Sequence, residues 1–522
     1  MPSLGPPPSA VNGPAPITAG PPGTGPLVRG LAVLRDLAEH DATSRVRPAD
    51  LARTTGLSRS VVDRVLATLE HLGHVRFEGR DVGLAVGLME LGNAYLTASG
   101  VPAALGPHIE RLAAGLDEPV SVGVADAGGV RVVARCGRPR AVSLTVRIGD
   151  LLPGDRCAAG ALLAAAPPGP AGRAVDWAVD DQGAEPGLVA VAVPVRGPDG
   201  HPACAVTVTS HAGRHSADSL RETALPRLRA ALPALEAALA APPGTRHRAA
   251  PAEDPSPTAK RELGSAYLQS LARGLAVLRA FGVAGEAPHR GATLAELAAA
   301  TGLARATARR ALLTLTALGH VTAEGGRFRP LPSVLALGHA PLGELTFTDL
   351  VRPHLRELVR RVGESASMAV LDGDAIRYVA RVPTVRIMSV DITIGTRLPA
   401  HATSMGRVLL AGAGRGGARP APRALTPYTV TSPAELTALL AEVAREGYAL
   451  VDQELEEGLR SIAVPVRDGR GSVVAALNVA AHASRGTADG LRRDVLPALR
   501  DTAARIEADL RTASAHRALP IG

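Results

Sequence analysis

The residues that most directly suggest chemistry are a set of arginines near the middle of the chain. In ARATARRALLTLTALG (Ala304–Gly319), Ala308, Ala311, Leu312 and Leu315 recur at helical spacing and form one apolar stripe. Arg305, Thr307, Arg309 and Arg310 fall largely off that stripe, toward the start of the helix. A shorter helical segment, TLAELAAATG (Thr293–Gly302), precedes it and ends at glycine. Two helices joined by a short glycine-containing turn make a helix-turn-helix, whose second helix enters the major groove of DNA. HVTAEGGRFRPL (His320–Leu331) then reads as strand, Gly-Gly turn and strand, a wing that carries Arg327 and Arg329 toward flanking phosphates or the minor groove. Helix pairs also occur in folds that bind nothing, and charge on a helix is usually its solvated face. The wing and the placement of the arginines weigh toward duplex DNA.

The same arrangement is written twice, and this is the strongest internal signal in the sequence. LVRGLAVLR at Leu27–Arg35 recurs as LARGLAVLR at Leu271–Arg279, and TGLSRSVVDRVLATLEHLGHV at Thr55–Val75 recurs as TGLARATARRALLTLTALGHV at Thr301–Val321. Farther on, VAVPVRGPDG (Val191–Gly200) matches IAVPVRDGRG (Ile462–Gly471). There the offset has grown from 246 to 271, so the first copy lacks about 25 residues. A period near 250 residues is too long for a solenoid and reads as a duplicated two-domain unit. Ser58, Arg59, Ser60 and Arg64 are the DNA-facing candidates of the first copy. They look weaker: Leu27–Leu84 holds nine arginines against eight acids, whereas Ser265–Pro330 holds eight arginines against three glutamates. Asp63 also stands where the second copy has Arg309.

Composition bounds the rest. A chain of 522 residues holds several domains, and 46 % hydrophobic with 20 % charged residues is ordinary for a soluble globular protein. The N-terminus has no basic cluster followed by an apolar core, and no run approaches the ~18 residues a membrane span needs. Three cysteines with no CxxC spacing suit a reducing cytoplasm. Aromatics at 2 % argue against single-strand binding by base stacking. A net charge of +8 permits a polyanionic partner. No P-loop, dinucleotide fingerprint, HExxH or paired Cys/His cluster appears, so neither a cofactor nor a metal is expected.

After each wing, helical segments are followed by hairpin-like strands, such as SMAVLDGDAIRYVARV (Ser367–Val382) around Asp372-Gly373-Asp374, and then by further helices and strands. This predicts an α+β domain on an antiparallel sheet. LARGLAVLRAFG, TGLARATARRALLTLTALGHV, LPAHATSMGRVLLAG, YALVDQELEEGLRSIAVPVRD and ALNVAAHASR together resemble the IclR family of bacterial transcription regulators, and most of all its subgroup controlling aromatic-acid catabolism through protocatechuate and β-ketoadipate. The resemblance covers nearly all of residues 265–515 and, more loosely, 27–240. It implies a winged helix-turn-helix followed by a GAF-like effector-binding domain, here in two tandem copies, with a double-stranded operator as partner. Family members usually act as dimers or tetramers with one copy per chain; two copies leave open a homo-oligomer or an intramolecular pseudo-dimer.

The resemblance also implies an effector pocket between the HATSMG loop and the sheet behind SIAVPV. Thr403, Ser404, Met405 and Gly406 open a helix whose free N–H groups attract a small carboxylate. Ser461 and Asn478 would add side-chain hydrogen bonds, Arg460 would pair the carboxylate, and Asp452 would accept from a phenolic hydroxyl; the bland alternative is that Arg460 and Asp452 pair with each other or with neighbouring acids. In the first copy Ala158, Val189 and Ala190 stand at the Ser404, Arg460 and Ser461 positions, which suggests a degenerate sensor.

The expected organisation is a disordered tail (1–26), a winged helix-turn-helix (27–88), a degenerate sensor (89–240), a flexible linker (241–264), a second winged helix-turn-helix (265–332), an effector-binding sensor (333–515) and a tail (516–522). Two competing readings remain. One is an architectural DNA-binding protein with inert sensors. The other is a hydrolase using His401, Ser404 and Asp452, which lacks a GxSxG elbow and places its His and Ser three residues apart in one loop.

Overall fold

The computed structural model describes residues 25–137, 146–164, 175–241, 256–285, 290–384, 392–413 and 421–521. Each copy begins with three helices and a two-stranded wing. In the first copy the helices are Pro26–Ala38, Pro48–Thr55 and Arg59–His71, with wing strands Val75–Glu78 and Asp81–Leu84. In the second they are Gln269–Ala280, Leu294–Thr301 and Arg305–Ala317, with wing strands Val321–Glu324 and Arg327–Pro330. The middle helices end at Gly56 and Gly302, both in the left-handed region at φ 68° and 65°, which turns the chain sharply into the third helix. Thr293 and Glu296 form a capping box at the start of Leu294–Thr301. The expected stripe is the buried one: Ala308, Ala311, Leu312 and Leu315 all face the core.

Each sensor is a six-stranded antiparallel sheet, and the two sheets share one strand order. In the second copy the strands lie side by side as Arg397–Pro399, Ala375–Val382, Ser365–Asp372, Val473–His482, Leu459–Arg467 and Ala449–Asp452. The hairpin expected at Asp372-Gly373-Asp374 is present, with Gly373 at φ 66°. The stretch IMSVDITI (Ile387–Ile394), which also reads as a strand, lies mostly outside the described residues. One face of this sheet, with Met368, Ile462, Val464, Leu477 and Val479, joins the main core beneath helices Phe347–Val362 and Leu496–Ser514. The other face alternates with it and carries small side chains: Ser367, Ala369, Ser461, Ala463, Ala476 and Asn478. Helix Ser404–Gly412 covers part of that face, and Pro433–Glu446 packs on the helix in turn.

The two copies pack directly on each other. Helix Pro26–Ala38 crosses Gln269–Ala280, and each also touches the third helix of the opposite copy. At the crossing a Cβ added to Gly30 would lie 2.3 Å from Leu271, and one added to Gly274 would lie 2.5 Å from Leu27. Gly30 and Gly274 are equivalent positions, as are Leu27 and Leu271, so the contact is self-complementary like that of a two-fold dimer. The main apolar cluster runs unbroken through both copies.

Two segments differ from the expected organisation. Within the expected linker, residues 242–255 lie outside the described set, but Ser256–Leu263 is a helix whose Ala259 is buried beside Tyr267 and Ala272. An apolar face with a core to cover is the physical reason for its order. The expected tail from 516 onward is also anchored. Arg517 donates to the carbonyls of Gly343 and Leu345, His516 lies 3.1 Å from the Thr97 hydroxyl, and Leu519 and Ile521 pack on the core.

Two predictions follow from this packing. Replacing Gly30 or Gly274 with leucine overfills a crossing with no room for a side chain, and each variant should lose about 1–3 kcal/mol in a denaturant titration. The second concerns acid. His74 and His320 are equivalent buried residues whose pKa is lowered to about 4, first by burial and then by the cation of the opposite copy, Arg279 and Arg35 respectively. Unfolding returns each imidazole to about 6.5, so between those values the unfolded chain binds protons that the folded chain refuses. Stability should therefore fall as pH drops from about 6.5 toward 4, and a double variant His74→Gln/His320→Gln should show a flatter Tm-versus-pH profile over that range.

Candidate DNA-binding surface and effector pocket

The third helix of each copy presents its polar face to solvent. In the second copy Arg305, Arg309 and Arg310 are exposed, Thr307 is half-buried, and the helix contains no acid. None of the three arginines has an ion-pair partner among the described residues. In the first copy Ser58, Arg59, Ser60 and Arg64 are likewise exposed. There Arg59 is engaged by Asp63 one turn later at 2.8 Å, and the Ser58 and Ser60 hydroxyls lie 3.2 Å apart. The wing arginines are already occupied in the free protein: Arg329 pairs with Glu324, and Arg327 donates to the Gly291 carbonyl at 3.2 Å. To reach phosphate they would have to exchange these partners. The sequence reading missed Leu313, which is 56 % exposed on this arginine-rich helix. Its position off the apolar stripe was the available signal.

The second sensor contains a cavity of ≈ 880 Å³ between the small-residue face of the sheet and the HATSMG loop. Thr403, Ser404 and Met405 line it from the loop, and Ser461 and Asn478 from the sheet. Ser404 and Ser461, 57 positions apart, meet with their hydroxyl oxygens 2.9 Å apart. Asn478 is buried and its Oδ1 has no hydrogen-bond partner among the described residues. That is an unfavourable state which a bound donor would relieve.

Three of the expected pocket residues serve the fold instead. Gly406 does not line the cavity: its N–H is taken by the Thr403 hydroxyl at 3.1 Å, and a Cβ there would lie 2.1 Å from the Ala400 carbonyl. Asp452 and Arg460 sit directly opposite each other on neighbouring strands and pair at 2.8 Å, away from the cavity lining. The bland alternative for these two holds, because cross-strand register puts opposite charges face to face.

The missed cation is Arg381. Register places Arg381, Ser367 and Asn478 side by side across three adjacent strands, and all three line the cavity. The signal was the alternation Ser365, Ser367, Ala369 against Ala366, Met368, Val370, which marks a face left open by small side chains. The loop itself is held by Arg407, which is buried, donates to the His401 carbonyl at 2.9 Å and pairs with the buried Glu454.

The hydrolase alternative finds no support in the geometry. His401 Nε2 lies 3.0 Å from the Arg423 carbonyl, Ser404 bonds Ser461, and Asp452 bonds Arg460. Among the described residues no helix is long and apolar enough to cross a membrane, and no three His, Cys, Asp or Glu side chains are placed to hold a metal.

Comparison with known proteins agrees with this architecture. The IclR helix-turn-helix domain matches at residues 26–79 and again at 270–325, and the bacterial transcriptional regulator IclR C-terminal domain matches at 339–508. The Pca regulon regulatory protein of Pseudomonas putida is 44 % identical over 239 residues, which is 45 % of this chain and 81 % of that protein. The chain belongs to the IclR family. It is a DNA-binding transcription regulator and not an enzyme. Two Acinetobacter baylyi proteins, the Pca operon regulatory protein and the p-hydroxybenzoate hydroxylase transcriptional activator, are each 34 % identical over 247 residues. Those matches cover 45 % of this chain and 87 % and 90 % of the two relatives.

The pairing of Asp452 with Arg460 yields a direct test. Arg460→Ala leaves a partly buried carboxylate alone and should lower stability by about 1–2 kcal/mol. Ligand affinity, measured by calorimetry, should change less than about twofold.

Proposed function

We propose that this IclR-family regulator responds to one small aromatic carboxylate per chain, bound in the second sensor, and acts in aromatic-acid catabolism. The carrying observation is the row Arg381–Ser367–Asn478 lining one cavity together with the Ser404/Ser461 pair, where the HATSMG loop meets the sheet. A buried carboxylate needs charged or N–H donors. Arg381 supplies a guanidinium able to bind it in two-pronged fashion, and the start of helix Ser404–Gly412 adds a positive helix end. Asn478 and the serines suit a hydroxyl at the other end of the ligand. The cavity volume falls within the usual range for small-molecule sites. The names of the relatives, regulators of pca genes and of p-hydroxybenzoate hydroxylase, point to the same chemical class.

The first sensor serves as a structural partner in this reading. It keeps the equivalent polar row, Arg135–Ser121–Thr207, but has Ala158 and Ala190 where the second has its facing serines. Cys157 there is buried, with its thiol pKa raised by desolvation, which does not suit a reactive cysteine. An architectural protein with two inert sensors gives no role to the ≈ 880 Å³ cavity lined by Arg381, Ser404, Ser461 and Asn478.

The effector signal has a physical route to DNA. Helices Phe347–Val362 and Leu496–Ser514 lie on the opposite side of the cavity-bearing sheet and reach the first copy's wing, where Arg356 meets Glu78 at 3.0 Å and Asp509 lies 3.9 Å from Arg76. A coupling of about 1–3 kcal/mol between effector and operator is expected for such a device.

Calorimetry of the full chain with protocatechuate, p-hydroxybenzoate and benzoate as probes tests the proposal. One site per chain is expected. Ser461→Val should weaken binding about tenfold, and Arg381→Met more strongly, with both variants still folded by circular dichroism. Two equivalent sites, or unchanged affinity in Arg381→Met, would show the assignment to be wrong.

A further inference from the structure

Resting on the DNA-binding function, we propose that a single chain reads a complete operator whose two halves are unlike. The second recognition helix would specify a half-site containing guanine beside thymine, and the first would hold its half mainly through the DNA backbone. Both recognition helices sit in one covalent body. The Gly30/Leu271 and Gly274/Leu27 crossing joins their supports, and each first helix touches the opposite third helix. The first recognition helix is further tied to the second copy, since buried Thr68 accepts the Leu268 N–H at 2.9 Å and reaches the Ala266 carbonyl at 3.3 Å. Two recognition helices are thus held together without a second chain, and nothing obliges the half-sites they read to match. In a two-chain dimer, by contrast, symmetry makes the halves alike.

The two exposed faces differ in kind. Arg59, Asp63, Arg64 and Glu70 leave the first helix with balanced charge, and Arg59 is turned onto Asp63. The second offers Arg305, Arg309 and Arg310 with no acid. A lone exposed leucine on a protein surface needs no explanation. Leu313, however, lies one turn beyond Arg309, on the same face and off the apolar stripe. Arginine pairs with the O6 and N7 of guanine, and an apolar side chain beside it meets the 5-methyl of thymine in the major groove. The first copy has Asp63 and the half-buried Ala67 at these two positions, so it lacks both reading groups.

Selection of duplexes from a random pool by the full-length chain tests this, with stoichiometry measured on the enriched duplex by light scattering. One chain per duplex is expected, with a motif strongly specified in one half only. Changing the guanine of that half should weaken binding about 5- to 150-fold. Arg309→Ala should weaken binding to the enriched duplex more than Arg64→Ala does. Leu313→Ala should erase the thymine preference, and Asp63→Arg/Ala67→Leu should convert the selected motif toward a palindrome. A palindromic motif from the parent protein, or two chains per duplex, would overturn the inference while leaving DNA binding intact. Failure of a folded parent protein to enrich any sequence would overturn operator recognition itself.

Discussion

The arrangement depends on one close crossing of two helices. Glycine at positions 30 and 274 lets the backbones approach until each is covered by a leucine of the other copy, and no side chain of any size fits in between. Helices that approach this closely gain dispersion along their whole contact and hold each other's direction. Everything downstream inherits that geometry. The third helices touch the first helices of the opposite copy, and the segments after the wings interlock as well: a Cβ on Gly92 would lie 2.8 Å from His339, and one on Gly338 would lie 2.6 Å from Leu88. A duplicated chain can therefore build within itself the kind of interface that separate chains would form with each other.

Symmetry at that crossing does not extend to the sensors. Both sheets share one topology, and both carry a row of arginine and small polar residues on the face opposite the core. What separates them is what lies over that face. In the second copy Ser404–Gly412 is backed by Pro433–Glu446, locked by the buried Arg407–Glu454 pair and joined to the sheet through the Ser404–Ser461 hydroxyl contact. In the first copy the corresponding helix, Ala158–Leu163, begins with Ala158 and Ala159 packed in a small apolar cluster with Ala192 and Ala205. Ala158 and Ala190 supply no hydroxyls where Ser404 and Ser461 meet in the second copy.

Much of this was legible in the sequence because it follows from periodicity. The stripe of Ala308, Ala311, Leu312 and Leu315, the turn at Gly302 and the hairpin at Gly373 are local features, and local rules found them. The pocket residues were harder, because a cavity is defined by strands distant in sequence. Ser404 and Ser461 were found through a loop with a recognisable helix start. Arg381 was missed because its meaning comes only from register with Ser367 and, beyond that, Asn478. For Arg460 and Asp452 the sequence leaves ligand contact and mutual pairing both open for the converse reason: the strand pairing that sets them face to face is invisible until register is known. The same holds for the tail, whose Arg517 gains order only by meeting carbonyls some 170 residues away.

The electrostatics of the two recognition helices complete the contrast between shared frame and divergent surface. Core positions of the third helices remain apolar in both copies: Val62, Val65, Leu66 and Leu69 in one, Ala308, Ala311, Leu312 and Leu315 in the other. Exchange at those positions would disturb the joint core and cost stability in both halves at once. The exposed positions carry no such constraint, since a charge change there costs the fold little. Asp63 opposite Arg309 and Ala67 opposite Leu313 are differences of that inexpensive kind. Within the two third helices, packing thus confines divergence to the exposed face.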